Sequence, residues 1–342
     1  MKALVLEEYG KFIYRDVPMP ETGDDDVLIR VMACSVCGSD VHGMDGSTGR
    51  RIPPVIMGHE AAGVVVKAGK NARGVAEGDR VTFDSTVYCG VCGYCKSGAV
   101  NLCDNRRVIG VSCGEYRMDG AFAEYVSVPA RVIYKLPDGV SYEQAAMIEP
   151  LSVAYHAVSL ARAVSGAAVV AGCGTIGLLV AQLLRDRGFA PLILSDVVEE
   201  KLELAAALGF DNRVNSSEIS LAEAAGAATG GRGADLSVDA VGIDASVTDA
   251  ISSLKKGGEC VLIGNIKPQV TIPLQQVVTK QLTLFGSCAS SGEYPRCLEL
   301  IADGRVDIDK LISKTVPLSD GGEWIGRLYN REPGLYKIVL IP

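Results

Sequence analysis

Four cysteines, Cys89, Cys92, Cys95 and Cys103, fall in one short loop with the spacing C-x2-C-x2-C-x7-C. Four thiolates this close in sequence can surround one Zn²⁺ and leave no ligand position open. That is the pattern of a structural site rather than a catalytic one. Gly90, Gly93 and Gly98 lie among the ligands and let the backbone fold back between them. The competing readings are a pair of disulfides, which requires an oxidising compartment, or four unrelated thiols. The N-terminus, MKALVLEEYG, has no long apolar run of the kind a secretory signal carries. A structural zinc lobe of this kind directs attention to a second zinc whose ligands are spread along the chain.

The chain has 342 residues, enough for two domains and a large core. Its net charge of −8, with no basic clustering near the cysteines, argues against a nucleic-acid surface and against a zinc-ribbon nucleic-acid binder. The expectation is a soluble, cytoplasmic protein with a small-molecule partner. The stretch from Val164 to Leu184 carries no charge and is as long as a membrane span, but its interior glycines break it into a short strand and a buried helix. Cys34, Cys113, Cys173, Cys260, Cys288 and Cys297 sit among small or apolar neighbours and are expected to be mostly buried reduced thiols.

Two textures divide the chain. Residues 1–150 read as strands and loops, with strands expected at Val27–Ala33, Val64–Val66 and Arg80–Phe83. From about Leu151, Ala- and Leu-rich helical stretches alternate with short apolar strands at Ala168–Ala171, Leu192–Ser195, Leu236–Asp239, Cys260–Ile263 and Leu282–Phe285. That alternation predicts βαβ units and a doubly wound parallel sheet over 151–286, hence an α/β protein. The tail, 287–342, leaves the rhythm and is expected to return to the first domain.

Val169-Val170-Ala171 runs into Gly172-Cys173-Gly174-Thr175-Ile176-Gly177, a G-x-G-x-x-G sequence between a predicted strand and a predicted helix. The first glycine allows the tight turn, the second the approach of a pyrophosphate, and the third close helix–strand packing. The next strand ends at Ser195-Asp196, the distance at which a ribose-binding acid is expected. A carboxylate at Asp196 accepts from a ribose 2′-hydroxyl and repels a 2′-phosphate, and Val197-Val198-Glu199-Glu200 supplies no arginine to pair one. NAD is therefore expected over NADP. Lys201 either reaches the ribose or is a solvated helix-face charge.

Cys37-Gly38-Ser39-Asp40, Gly58-His59-Glu60 and Glu149-Pro150 supply a thiolate, an imidazole and carboxylates. Three such protein ligands plus water make the catalytic zinc pattern. Taken in order with the cysteine lobe and the glycine fingerprint, these motifs resemble the zinc-dependent medium-chain dehydrogenase/reductase family along essentially the whole chain. Glu149-Pro150-Leu151-Ser152-Val153 is similar to the polyol branch, typified by sorbitol dehydrogenase, where classical alcohol dehydrogenases carry cysteine at the position of Glu149.

The resemblance implies a mainly β, GroES-like catalytic domain over 1–150, with the zinc lobe at about 86–106, beside the Rossmann domain. It implies that Cys37 and His59 ligate zinc, with Glu60 as third ligand and Glu149 holding a water or replacing it; the choice between the two carboxylates stays open. Asp40 matches an acid that orients the ligating imidazole. Ser39 and His42 match a proton relay, although His42 also fits a plain surface histidine. His156, on a predicted helix, reads as structural. Val241, Ile263, Gly264 and Asn265, at strand ends, and Ser287-Cys288-Ala289 are placed near the nicotinamide. Sorbitol dehydrogenase is expected to carry an arginine within Ser287–Ala289, and none is present, which weakens sorbitol itself as the substrate. Arg50, Arg51 and Arg117 read as solvated surface charges or as a site for an anionic group.

Two zinc ions per chain, NAD and a homo-oligomer, dimer or tetramer, follow from the same resemblance. Zinc lowers the pKa of an alcohol, the relay removes the proton, and hydride passes to the nicotinamide. The implied function is NAD-dependent oxidation of a secondary alcohol of a polyol. The alternatives are a threonine-type or polyol-phosphate dehydrogenase and a non-catalytic zinc protein on the same scaffold.

Overall fold

A computed structural model describes all 342 residues. The chain divides into two compact units. One comprises Met1–Glu149, Ser291–Asp303 and Leu311–Pro342; the other comprises Pro150–Ser290 and Gly304–Lys310.

The first unit is built on a seven-stranded sheet. Along its path run Ile133–Lys135, Arg80–Phe83, Glu60–Ala68, Asp26–Ser35, Ile338–Ile341 and Lys314–Pro317, while Tyr125–Pro129 also pairs with Asp26–Ser35. Asp26–Ser35 is the strand that organises it. Val27, Ile29 and Val31 alternate into the core, all at most 3% exposed, as a half-buried strand requires. Its far end, Ala33, Cys34 and Ser35, is fully buried, because the C-terminal strand lies against it with Val339 opposite Ser35 and Leu340 opposite Cys34. Glu60 faces Ser35 from the other neighbour. One sheet thus joins the residues around position 35, those around 60 and the last residues of the chain.

The second unit carries a six-stranded, all-parallel sheet in the order Arg213–Asn215, Leu192–Asp196, Ala168–Ala171, Ala234–Asp239, Leu254–Leu262, Thr283–Gly286. This is the doubly wound Rossmann order. Ala168–Ala171 is buried on both faces, which accounts for its uninterrupted apolar run. Arg213–Asn215 has no apolar pattern and was not among the predicted strands. It is three residues long at the sheet edge, held by Leu194 opposite Arg213. Leu254–Leu262 begins six residues before its apolar core, because Lys255-Lys256-Gly257-Gly258 extends the strand without contributing hydrophobic signal.

Val164–Leu184 resolves into the strand Ala168–Ala171 and the helix Thr175–Asp186. No helix is long and apolar enough to cross a membrane. All eleven cysteines are free; of the six outside the candidate metal sites, Cys34, Cys173, Cys260 and Cys297 are buried, in line with the expectation for most of them, while Cys113 is partly buried and Cys288 is exposed.

Candidate active site and metal centres

Cys37 caps a short helix, Gly38–Gly43: its sulfur accepts from Ser39 N at 3.5 Å, and its own N–H donates to Asp40 Oδ2 at 3.3 Å. Gly58, at φ +90°, turns the chain into the strand that begins at Glu60. A side chain there would run into Phe122, 2.4 Å from a Cβ. The result is that Cys37, His59 and Glu60 bring one ligand atom each within 4.8 Å of the others. His59 is 5% exposed and Glu60 is 1% exposed.

Asp40 stands behind His59, its Oδ1 3.5 Å from Nδ1. No other protein group bonds that nitrogen. Nδ1 therefore faces the carboxylate and Nε2 is the nitrogen left for a metal. A thiolate, an imidazole and a carboxylate converging from three chain positions, with the imidazole backed by an acid, fit a zinc ion with an open position. Burial favours the neutral form of the Asp40 carboxyl, but its interactions with His59 and Arg51 outweigh this and hold the group well below the usual carboxylate range.

Glu60 does not stand alone. Its Oε2 is bonded by the Ser35 hydroxyl and by Lys337 Nζ, both buried. Neither partner was foreseen. Lys337 heads the apolar run Ile338–Ile341, and a single lysine opening a buried strand is the one sequence signal it leaves. Glu149 lies in the first turn of the helix Ile148–Leu160 and falls outside the Cys37, His59 and Glu60 cluster. Ser85 Oγ donates to its Oε1 at 3.2 Å. Loss of water around the Glu149 carboxyl pushes it up to about 7; Glu60 and Asp84 add to this, while His59 and Lys337 oppose it.

Ser39 and His42 both project from the Gly38–Gly43 helix and are exposed. Arg51, read from sequence as a surface charge or an anion site, is neither. It is 4% exposed and bound to Asp40. Arg50 and Arg117 are exposed, as expected. His156 lies on the helix Ile148–Leu160.

In the lobe, the Sγ atoms of Cys89, Cys92, Cys95 and Cys103 lie within 4.8 Å of one another, with Cys92–Cys95 at 3.5 Å and Cys89–Cys95 at 3.9 Å. A tetrahedron of sulfurs around zinc has edges of about 3.8 Å, whereas a disulfide needs about 2 Å. The set fits zinc and excludes the disulfide reading.

In the second unit, Gly172 is at φ +98° and Gly177 packs on it so tightly that a Cβ would sit 1.8 Å from Gly172 O. Gly174 differs: a Cβ there meets nothing within 4 Å. It precedes the helix Thr175–Asp186, whose first turn receives no side-chain cap, and Thr175 and Ile176 are partly exposed. Open space at an uncapped helix start fits a pyrophosphate. Asp196 accepts from Cys173 N at 2.8 Å and Val198 N at 3.0 Å, with Lys201 Nζ 3.6 Å away. The strand-end turns meet beside the fingerprint: a Cβ on Gly172 would lie 2.5 Å from Val241 Cγ2, and one on Gly242 would lie 2.2 Å from Gly264 C. Ile263 N and Gly264 N both bond Asp239 O, and Ser287 N bonds Leu262 O. Val241, Ile263, Gly264, Asn265 and Ser287–Ala289 thus belong to the carboxyl end of the sheet, where open α/β folds take ligands.

Comparison with known proteins decides the family. The alcohol dehydrogenase GroES-like domain matches residues 23–138, and the zinc-binding dehydrogenase domain matches residues 175–303. Sorbitol dehydrogenase of Bacillus subtilis is 30% identical over 100% of this chain and 97% of its own length. The chain belongs to the zinc-type medium-chain dehydrogenase family. D-arabitol-phosphate dehydrogenase of Enterococcus avium is 34% identical over 92% of this chain and 90% of its own. A zinc-binding dehydrogenase from Sinorhizobium meliloti, solved bound to NADP, superposes with a TM-score of 0.90 at 34% identity, covering 100% of this chain and 99% of the other. This medium-chain dehydrogenase falls in the polyol dehydrogenase-like branch and is an oxidoreductase acting on CH–OH groups. Its fold is a GroES-like domain with a Rossmann-like parallel sheet, and its family binds zinc and a nicotinamide dinucleotide.

Proposed function

We propose that this medium-chain dehydrogenase oxidises a secondary alcohol of a polyol to the ketone, with NAD as oxidant and two zinc ions per chain. The observation that carries the proposal is the convergence of Cys37, His59 and Glu60 with Asp40 behind the imidazole. In this reading Cys37, His59 and Glu60 hold the catalytic zinc, and Cys89, Cys92, Cys95 and Cys103 hold the structural one. Bound zinc acts as a Lewis acid on the substrate oxygen. Ser39 takes the alcohol proton and His42 passes it to solvent. Glu149 accepts from Ser85 and stands ready to hold a water beside the cluster.

Asp196 accepts from the adenosine ribose, and Gly172, Gly174, Thr175, Ile176 and Gly177 cradle the pyrophosphate. Val241, Ile263, Gly264, Asn265 and Ser287–Ala289 flank the nicotinamide. The NADP in the Sinorhizobium meliloti structure is the competing cofactor; the carboxylate of Asp196 at the ribose position supports NAD. The sorbitol dehydrogenase relative supports a neutral polyol. A polyol phosphate is the second reading, supported by the D-arabitol-phosphate dehydrogenase relative. Engagement of Arg51 with Asp40 removes one of its three candidate cations. The buried thiols of Cys34, Cys173, Cys260 and Cys297 support a reducing, cytoplasmic compartment, and family resemblance supports a dimer or tetramer, which light scattering tests.

The deciding experiment is a panel of polyols, polyol phosphates, vicinal diols, threonine, ethanol and benzyl alcohol, each assayed for NADH and NADPH appearance. Turnover of polyols or diols with NAD above all others is expected. Efficient benzyl alcohol oxidation without polyol activity would remove the substrate assignment and leave the zinc and cofactor assignments standing.

A further inference from the structure

Arg51 and Lys337 are the two buried lysine or arginine side chains of the whole protein. Each is aimed at a different acid of the candidate site: Lys337 at Glu60, Arg51 at Asp40. Arg51 goes further than neutralising a charge. Its Nε and Nη2 lie 3.3 and 3.0 Å from Asp40 Oδ1, and the same Nη2 lies 3.3 Å from Ser39 Oγ. Nη1 donates to Arg50 O at 3.1 Å. Every nitrogen of the guanidinium is therefore engaged inside the protein.

The surroundings are shaped to hold it there. A Cβ on Gly43 would lie 2.5 Å from Arg51 Cγ, so the end of the Gly38–Gly43 helix is kept bare where the arginine stem crosses it. Gly43 does not have a left-handed backbone, so room for Arg51 is the reason for glycine at this position. On the other side, Arg51 bridges Ser112, with Ser112 N bonded to Arg50 O at 3.2 Å and Ile52 N bonded to Ser112 O at 2.9 Å. Backbone and stem are both fixed.

A guanidinium has donors only and keeps its proton. In the contact with Nη2, Ser39 Oγ must accept, so the Ser39 proton cannot point toward Arg51. One lone pair and the O–H remain for other partners. We propose that Arg51 is a positioning residue of the proton path: anchored on Asp40, it donates to Ser39 Oγ and so fixes the direction in which that hydroxyl hands on its proton. The proposal rests on the reading of Ser39 and His42 as the relay. In the step, the alcohol O–H breaks and its proton forms a bond to Ser39 Oγ. The original Ser39 proton leaves to the His42 imidazole, three residues on along the same helix and open to solvent. One proton enters the serine and one leaves, and no electrons are exchanged with it. The Arg51 charge, 3.3 Å away, favours departure of the original Ser39 proton ahead of full arrival of the new one, because it stabilises negative charge on that oxygen and disfavours an oxonium.

Arg51→Lys keeps a cation that reaches Asp40 but cannot span Asp40 and Ser39 together. Gly43→Ala displaces the arginine stem and alters no ionisable group. Both variants are expected to keep wild-type zinc content and NADH affinity, to lose about tenfold or more in kcat with KM little changed, and to show a larger solvent deuterium isotope effect on kcat. Arg51→Lys on a Ser39→Ala background should then cost little further. Wild-type kcat and isotope effect in both variants would overturn the proposal, as would a loss matched by lost zinc, which would place the role of Arg51 at His59 instead. If Ser39→Ala is slow while Arg51→Lys is not, only the role of Arg51 falls. If Ser39→Ala keeps full kcat, the relay reading falls and takes this proposal with it.

Discussion

Lys337 and Glu60 are 277 residues apart in the chain and form an ion pair in which both side chains are at most 4% exposed. The pair exists because the C-terminal strand Ile338–Ile341 lies against Asp26–Ser35, whose other neighbour begins at Glu60. Removing the ammonium would leave a buried carboxylate with only Ser35 for support. With the Cys37 site emptied of zinc by mild chelation, Lys337→Met is therefore expected to cost about 3–5 kcal/mol of stability, read by urea unfolding. Lys337→Arg should cost much less, and Lys337→Met combined with Glu60→Gln should recover part of the loss. Equal stability of Lys337→Met and wild type would show that the pair contributes nothing.

The two candidate zinc centres should differ in lability. Four thiolates close the lobe site, whereas the Cys37 site has three protein ligands and an open position. Mild chelation should remove activity while near-native circular dichroism persists. Cys37→Ser should abolish turnover with the fold kept; Cys92→Ser should mainly lower stability or assembly. Metal analysis of fully active protein giving about one zinc per chain would contradict the pair of sites.

Gly174 and Gly177 make a contrasting pair within one fingerprint. A methyl group on Gly177 collides with Gly172 O, but one on Gly174 enters open space. Gly177→Ala should therefore lower stability by about 1–3 kcal/mol or more, because backbone has to move. Gly174→Ala should melt like wild type yet bind NADH about tenfold or more weakly, since its methyl group occupies the space assigned to the pyrophosphate. NADH titration by fluorescence, paired with thermal melts, separates the two. A Gly174→Ala protein with normal NADH affinity would argue against the cradle.

Asp196 accepts from Cys173 N through Oδ2 and from Val198 N through Oδ1, so Asp196→Asn, which removes the charge and one of these acceptors, is a cleaner test than alanine, which removes both. Lys201, 3.6 Å from the carboxylate, would then be free to meet a 2′-phosphate. The ratio of kcat/KM for NADP to that for NAD is expected to rise about tenfold or more. A wild-type enzyme that already prefers NADP would refute this reading of Asp196.

Much of the architecture was legible in the sequence because local chemistry specifies it. The cysteine lobe closes within fifteen residues, the glycine fingerprint is one strand–turn–helix unit, and the parallel strands announce themselves as apolar runs between helical stretches. These features need no distant partner. Arg213–Asn215 escaped because an edge strand takes its stability from one neighbour and carries no periodicity of its own.

Burial of charge was decided by tertiary structure alone. In sequence, Arg51 is a cation beside another cation, and Lys337 is a lone lysine near the C-terminus. Both are buried because the fold delivers Asp40 to one and Glu60 to the other, and an ionised group stays out of water only where a counter-charge and hydrogen bonds await it. By itself the sequence determined which residues can bind metal and dinucleotide. The pairing of strands distant in the chain decided which charges surround them, because desolvation and Coulomb energy depend on distance in space and not along the chain.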